Sequence, residues 1–180
     1  MKKILKIAGL LLLSLIIIVL LIAAFVRKDY SVEREVTLNK PKQVVFDYTK
    51  FLKNQNQYSV WAKIDPTMKT EFRGTDATVG FVSAWDSPNK DAGRGEQEIT
   101  GIDEGNRIDY EIRFFEPMKS TDKAFMSFES VNDSVTKVNW GIYGKLKYPM
   151  NISFLFMDMD AMLGKDLEGG LNNLKALLEK

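Results

Sequence analysis

Residues 106–115, NRIDYEIRFF, decide the fold class of this 180-residue chain. Apolar Ile108, Tyr110, Ile112 and Phe114 alternate there with Arg107, Asp109, Glu111 and Arg113. Successive side chains of a strand point to opposite faces, so the spacing predicts a strand in a sheet that is wet on one side only. The same period of two continues on both sides: residues 69–73, 78–85 and 94–102 upstream, 123–131 and 136–145 downstream, with turn residues between them. The last of these sets Val138, Trp140 and Ile142 opposite Lys137 and Asn139. Together they predict an antiparallel meander.

Ahead of the meander, Val32, Val36 and Leu38 alternate with Glu33, Glu35 and Thr37, which predicts a first strand over residues 30–38. Asn39-Lys40-Pro41 then offers a capping residue and a proline near a first helical turn. Val44, Val45, Tyr48, Phe51 and Leu52 follow at helical spacing. The helix they predict breaks near Lys53-Asn54, and a second helical turn carries Tyr58 and Trp61 before Pro66. Past Pro149 the period becomes 3.6, with Ile152, Phe156, Met159, Leu163, Leu167, Leu171, Leu174 and Leu178 on one stripe of a long final helix. That stripe needs a sheet to cover. Gly164, Gly169 and Gly170 weaken the helix by roughly 1 kcal/mol each relative to Ala and mark where it would bend.

Residues 7–26, IAGLLLLSLIIIVLLIAAFV, contain no charge. About 20 residues at 1.5 Å per residue span the roughly 30 Å hydrocarbon core of a bilayer, so residues 1–28 read as an N-terminal membrane anchor. A cleaved signal peptide is the alternative raised by Lys2 and Lys3, but its apolar region runs about 7–15 residues and ends at an A-x-A-like site, which Ala23-Ala24-Phe25 matches poorly. Arg27, Lys28 and Arg34 after the span offset Lys2, Lys3 and Lys6 before it, and the short basic tail leading straight into the span favours the N-terminus inside and the domain outside the cytoplasm. Residues 29–180 form one domain of ordinary size.

The composition excludes several function classes. At 45% hydrophobic and 27% charged residues, the chain has enough apolar surface for a core. Three of its 25 basic residues precede the span, which leaves the domain slightly acidic against 24 Asp and Glu, without the basic stripe that nucleic acid requires. The absence of Cys and His removes disulfides, thiol nucleophiles, His-based triads and the common zinc sets. Asp158 and Asp160 point apart on a helix and make no metal cluster with Asp166. Gly93-Arg94-Gly95 leads into a strand, so it reads as a turn and not as a phosphate loop. Asp109, Glu111 and Arg113 fall on the outer face and are expected to be solvated, away from any shielded acid/base site.

A strand, two small helices, six further strands and a long final helix is the order of the helix-grip fold, α+β with a curved antiparallel sheet wrapped around its last helix. The stretches VTLNKPKQVVFDYTKF, TVGFVSAW, GEQEITGIDEGNRIDYEIRF and GLNNLKALLEK resemble the SRPBCC group of START-like domains, in its polyketide cyclase/dehydrase and lipid-transport branch. The resemblance covers residues 31–180 and implies a cavity between sheet and helix. On that expectation the cavity is lined by Trp85, Tyr110, Phe114, Phe128 and Trp140 from the sheet, and by Met150, Phe154, Met157 and Met162 from the start of the helix, where four of the eight methionines fall. Flexible thioethers suit an irregular apolar pocket or fill a core equally well. Ser83, Gln97 and the Tyr110 hydroxyl are the polar groups expected to orient a ligand.

The leading expectation is a monomeric, membrane-held binding domain for a hydrophobic, lipid-like or aromatic small molecule, without cofactor or metal and with no assigned catalytic residue. A cyclase/dehydratase-like enzyme is the alternative, resting on Tyr110, or on Glu98 or Glu129 if the strand phase is the opposite one. A protein-partner domain is the third, and an exposed apolar patch would favour it.

Overall fold

The computed structural model describes residues 2–180. An apolar helix α1 (Lys2–Phe25) leads into strand β1 (Asp29–Leu38), helix α2 (Lys42–Thr49), a 3-10 turn (Leu52–Asn54), the short helix α3 (Gln55–Tyr58) and a second 3-10 turn (Trp61–Lys63). Six strands follow: β2 (Lys69–Arg73), β3 (Val82–Asp86), β4 (Arg94–Asp103), β5 (Arg107–Glu116), β6 (Ser120–Asn132) and β7 (Val135–Lys145). A 3-10 turn (Met150–Leu155) then precedes α4 (Met159–Leu178). The strands form one antiparallel sheet in the order β1-β7-β6-β5-β4-β3-β2, and the fold is the helix grip. By length and composition α1 is able to cross a membrane, and only Ala23 of its residues is buried.

The alternation in β5 sets the two faces of the sheet. Ile108, Tyr110 and Ile112 point inward and are buried. Antiparallel register then brings Ile108 beside Met126 and Met126 beside Trp140, one apolar row across three strands. Register shifts at Arg94/Gly95, Ile99/Gly101 and Ser130/Asn132 add twist and bend where the sheet must curve. Leu167, Leu171 and Leu174 of α4 close the core on the β1–β7 side. Outside, Arg113 donates to Glu96, Glu98 and Glu111 at 2.7, 2.6 and 2.6 Å, and Arg73 also pairs with Glu96. Glu111 and Arg113 are therefore half-buried in a lateral ion-pair network and not freely solvated as expected.

Four local expectations are corrected. β3 begins at Val82 and not at residue 78, because Ala77 (φ 60°) and Gly80 (φ 90°) take left-handed conformations in the turn before it. Asn39 does not cap α2, whose N-cap is Pro41; the Asn39 N–H instead donates to Glu179 Oε1 at 2.5 Å. The final helix starts at Met159, capped by Asp158, whose carboxylate accepts from the Ala161 N–H at 3.1 Å; Ile152 and Phe156 lie outside it. And α4 runs unbroken through its glycines.

Those glycines answer to packing. A Cβ at Gly170 would stand 2.6 Å from Trp140 Cζ3, and one at Gly164 would meet the Arg34 guanidinium at 2.0 Å. The helix comes down on the sheet where it carries no side chain. Gly170→Ala should therefore destabilise the protein by about 1–3 kcal/mol through overpacking, against the roughly 1 kcal/mol that alanine gains in helix propensity. Denaturant unfolding of the full chain in detergent, followed by near-ultraviolet circular dichroism, measures the sign; a gain in stability would show that Trp140 does not seat α4.

Candidate functional site

Because α4 lies along β1 and β7, the inner face of the other strands needs a different cover, and α3 with the 3-10 turn Trp61–Lys63 supplies part of it. A cavity of about 240 Å³ remains between them. Its floor includes Ser83 and Trp85 of β3, Gln97 of β4 and Phe114 of β5; Trp140 of β7 forms one side and Trp61 comes from the cover. Only Leu163 of α4 reaches it.

The aromatic walls are held in place. Trp85 Nε1 donates to the Ala92 carbonyl at 3.0 Å, which sets the indole edge-on to Phe114 with ring centres 5.8 Å apart. Gly95, paired with Trp85 across β3 and β4, leaves it room: a Cβ there would stand 2.5 Å from Trp85 Cζ2. Trp140 meets Trp61 edge-on at 5.8 Å and Tyr58 at 5.9 Å. Gln97 pairs with Ser83 in the same register and brings an amide whose Nε2 is buried without a hydrogen-bond partner.

The opposite end of the cavity is polar. Asp122, at 6% exposure, faces inward from β6 with Ala124, while Tyr30 reaches in from β1. Gly144 of β7 lies between them, and its missing side chain makes the room: a Cβ would stand 2.0 Å from Asp122 Oδ1 and 2.8 Å from Tyr30 Oη. The Tyr30 hydroxyl lies beside the Asp122 carboxylate across Gly144, and Ser120 Oγ donates to Asp122 Oδ2 at 3.4 Å. No Lys or Arg among the described residues pairs with Asp122. Burial accordingly pushes the Asp122 carboxyl above its ordinary value, partly offset by the hydrogen bonds from Tyr30 and Ser120. Burial, then the neighbouring Asp122, push the Tyr30 phenol up. The site is an aromatic box lined by one buried carboxyl, Asp122, and one exposed carboxyl, Asp91, and the buried one can hold or release a proton.

Of the residues singled out in the sequence, Ser83, Trp85, Gln97, Phe114 and Trp140 come together here. Six do not line the cavity. Tyr110 is buried in the core, where desolvation raises its pKa, and Phe128 packs edge-on against Phe46 of α2 at 5.4 Å. Phe154 packs on Tyr30 at 6.1 Å. Met150 and Met157 are exposed because the chain after Pro149 turns around the end of α1 instead of starting the helix, and Met162 is exposed on α4 itself. The methionine that does line the cavity is Met68. Glu98 and Glu129 lie on the outer face, in ion pairs with Arg113 and Lys137, so the strand phase read from the sequence holds. Sequence reasoning missed Asp122 because the strand was started three residues late, at Lys123; its even phase with Ala124, Met126 and Phe128 is the signal that marks it.

No family model matches the chain, and no curated protein matches it. Solved structures do. A norcoclaurine synthase point mutant of Thalictrum, in complex with a transition-state analogue, superposes with a TM-score of 0.61 at 9% identity, over 84% of this chain and 96% of that one. A protein of Nitrosospira multiformis gives 0.59 at 15%, over 82% and 94%, and Ara h 8.0201 gives 0.57 at 16%, over 84% and 99%. At these identities the likeness is one of fold, and the chain shares with them the helix-grip architecture.

Proposed function

We propose that the protein binds a compact apolar or aromatic small molecule in this cavity, with the molecule's polar group turned toward Asp122 and Tyr30, and acts as a carrier or sensor held at a membrane by α1. The observation that carries the reading is a cavity walled by Trp61, Trp85, Phe114 and Trp140 with one buried carboxyl, Asp122, at its end. That is the pattern of small-molecule sites, mostly apolar with few placed polar groups. A volume of about 240 Å³ falls below the usual range of about 300–1,000 Å³, which argues for a compact ligand over a whole lipid. The division into an anchor over residues 1–28 and a binding domain over residues 29–180, with the domain outside the cytoplasm, belongs to the same proposal. So does a monomeric state.

One observation favours an enzymatic reading as runner-up: a buried carboxyl with a raised pKa, adjoining a phenol, is a usable proton donor. In that reading the acid is Asp122, and Tyr110, Glu98 and Glu129 play no part.

Native mass spectrometry of the full chain, released from nanodiscs, should find a small molecule bound. Ala124→Phe fills the cavity and should abolish both that mass and the binding of an apolar fluorescent probe. Leu163→Trp, at a half-buried rim position, serves if the first variant unfolds. Probe affinity unchanged in both variants would place binding elsewhere and end this reading.

The buried acid gives a pH test. The folded state holds the Asp122 proton more tightly than the unfolded chain does, so this group's contribution falls as pH rises from about 4, the ordinary aspartate range, through its raised folded value. Asp122→Asn keeps an acceptor for Tyr30 and removes the charge. It should be more stable than the parent at pH 7, with the advantage fading below about pH 4. Unfolding curves across that range measure it, and a variant less stable at pH 7 would mean that the charged carboxylate is stabilising.

A further inference from the structure

Resting on the reading of α1 as a membrane span, we propose that residues 148–157 are a second membrane contact, an interfacial wedge that enters the headgroup region beside the exit of α1. Two side chains fix this segment to the helix. Asn151, fully buried, donates Nδ2 to the Ala23 carbonyl at 2.7 Å and the Val26 carbonyl at 2.9 Å. The last carbonyls of a helix have no partner within it, so Asn151 caps the end of α1 from the domain. Tyr148 Oη donates to the Leu20 carbonyl at 3.3 Å. Leu20 lies six residues before Val26, the last uncharged position ahead of Arg27, and at 1.5 Å per residue its carbonyl is about 9 Å inside that boundary. A span seated in the bilayer up to Arg27 carries Tyr148 in with it, to the depth of about 5–10 Å that interfacial segments reach.

The surface of the segment fits that environment. Phe156 is 85% exposed, Leu155 54% and Met150 52%, beside Phe25 at 91%. Large apolar side chains left contiguous on a surface mark a contact site. Exposed Arg27, Lys28 and Lys147 flank them, with Lys145 paired to Asp29 at 3.3 Å, and no acidic residue occurs between Lys145 and Met157. Basic charge at that level suits anionic headgroups, and tyrosine is favoured at the membrane–water interface. The wedge also fixes which end of the cavity faces the bilayer. Tyr30 lines the cavity and packs on Phe154, so the Asp122–Tyr30 end lies on the membrane side.

The chain has no cysteine, so one introduced residue carries a spin label uniquely. The full chain is reconstituted in phosphatidylcholine vesicles containing phosphatidylglycerol, with labels at Phe156→Cys, at Leu15→Cys within the span, and at Asp133→Cys in the turn between β6 and β7. Collision rates with oxygen, which partitions into lipid, and with a polar nickel chelate report depth. The oxygen-to-nickel ratio at position 156 should exceed that at 133 and approach that at 15, and Leu155→Cys should repeat the result if Phe156→Cys misfolds. A ratio at 156 equal to that at 133, with 15 in lipid, would overturn the wedge while leaving the anchor intact, and would leave the patch for a protein partner. A water-exposed label at 15 would remove the anchor reading and the wedge with it.

Discussion

The contact of Trp140 with Gly170 is the constraint from which the rest of the architecture follows. A sheet with one apolar face must bury it, and here the covering helix packs close because a residue without a side chain lies over the largest buried ring. That contact commits α4 to the β1–β7 side. Tyr58 and Trp61 brace Trp140 from the other flank, and the strands beyond it curve away uncovered by the helix. The cavity is the space this leaves, and the short turns between α2 and β2 close over it because α4 cannot.

The two faces of the sheet manage charge in opposite ways. Outside, Arg113 is surrounded by Glu96, Glu98 and Glu111, with Arg73 adding a second cation, so every member has a partner and water screens the remainder. Inside, Asp122 has a phenol and a distant hydroxyl but no cation. Burying a carboxylate without a counter-charge costs free energy, and the carboxyl responds by holding its proton more tightly. An uncompensated acid at the end of an aromatic box is the feature that ordinary core packing would not retain, and for that reason it carries the ligand-binding reading.

The apolar helix is also part of the domain's own hydrogen bonding. Asn151 answers the carbonyls at the end of α1, and Arg27 lies over the Phe154 ring at 5.2 Å. A polar side chain committed to a helix terminus couples the orientation of α1 to the turn before α4, and through Phe154 and Tyr30 to the cavity. The apolar helix and the cavity are thereby neighbours in one packed unit.

The sequence by itself determined the sheet, its order along the chain and its faces, because a strand's period of two shows in Ile108, Tyr110, Ile112 and Phe114 without reference to any other segment. It likewise marked Ser83, Trp85, Gln97, Phe114 and Trp140 as inward, since phase within a strand is local. What covers each inward residue was decided only by tertiary structure. Tyr110 and Phe128 share the phase of the cavity residues and differ from them in lying under α2 and α3 rather than beside the void. The methionines near position 150 looked like pocket lining as long as the helix was taken to start there, but the chain turns to cap α1 and Asp158 begins the helix later. Gly164 and Gly170, which local propensity reads as weak points, are contact points, because whether a missing side chain costs or stabilises depends on what approaches it, and that is a property of the packed molecule alone.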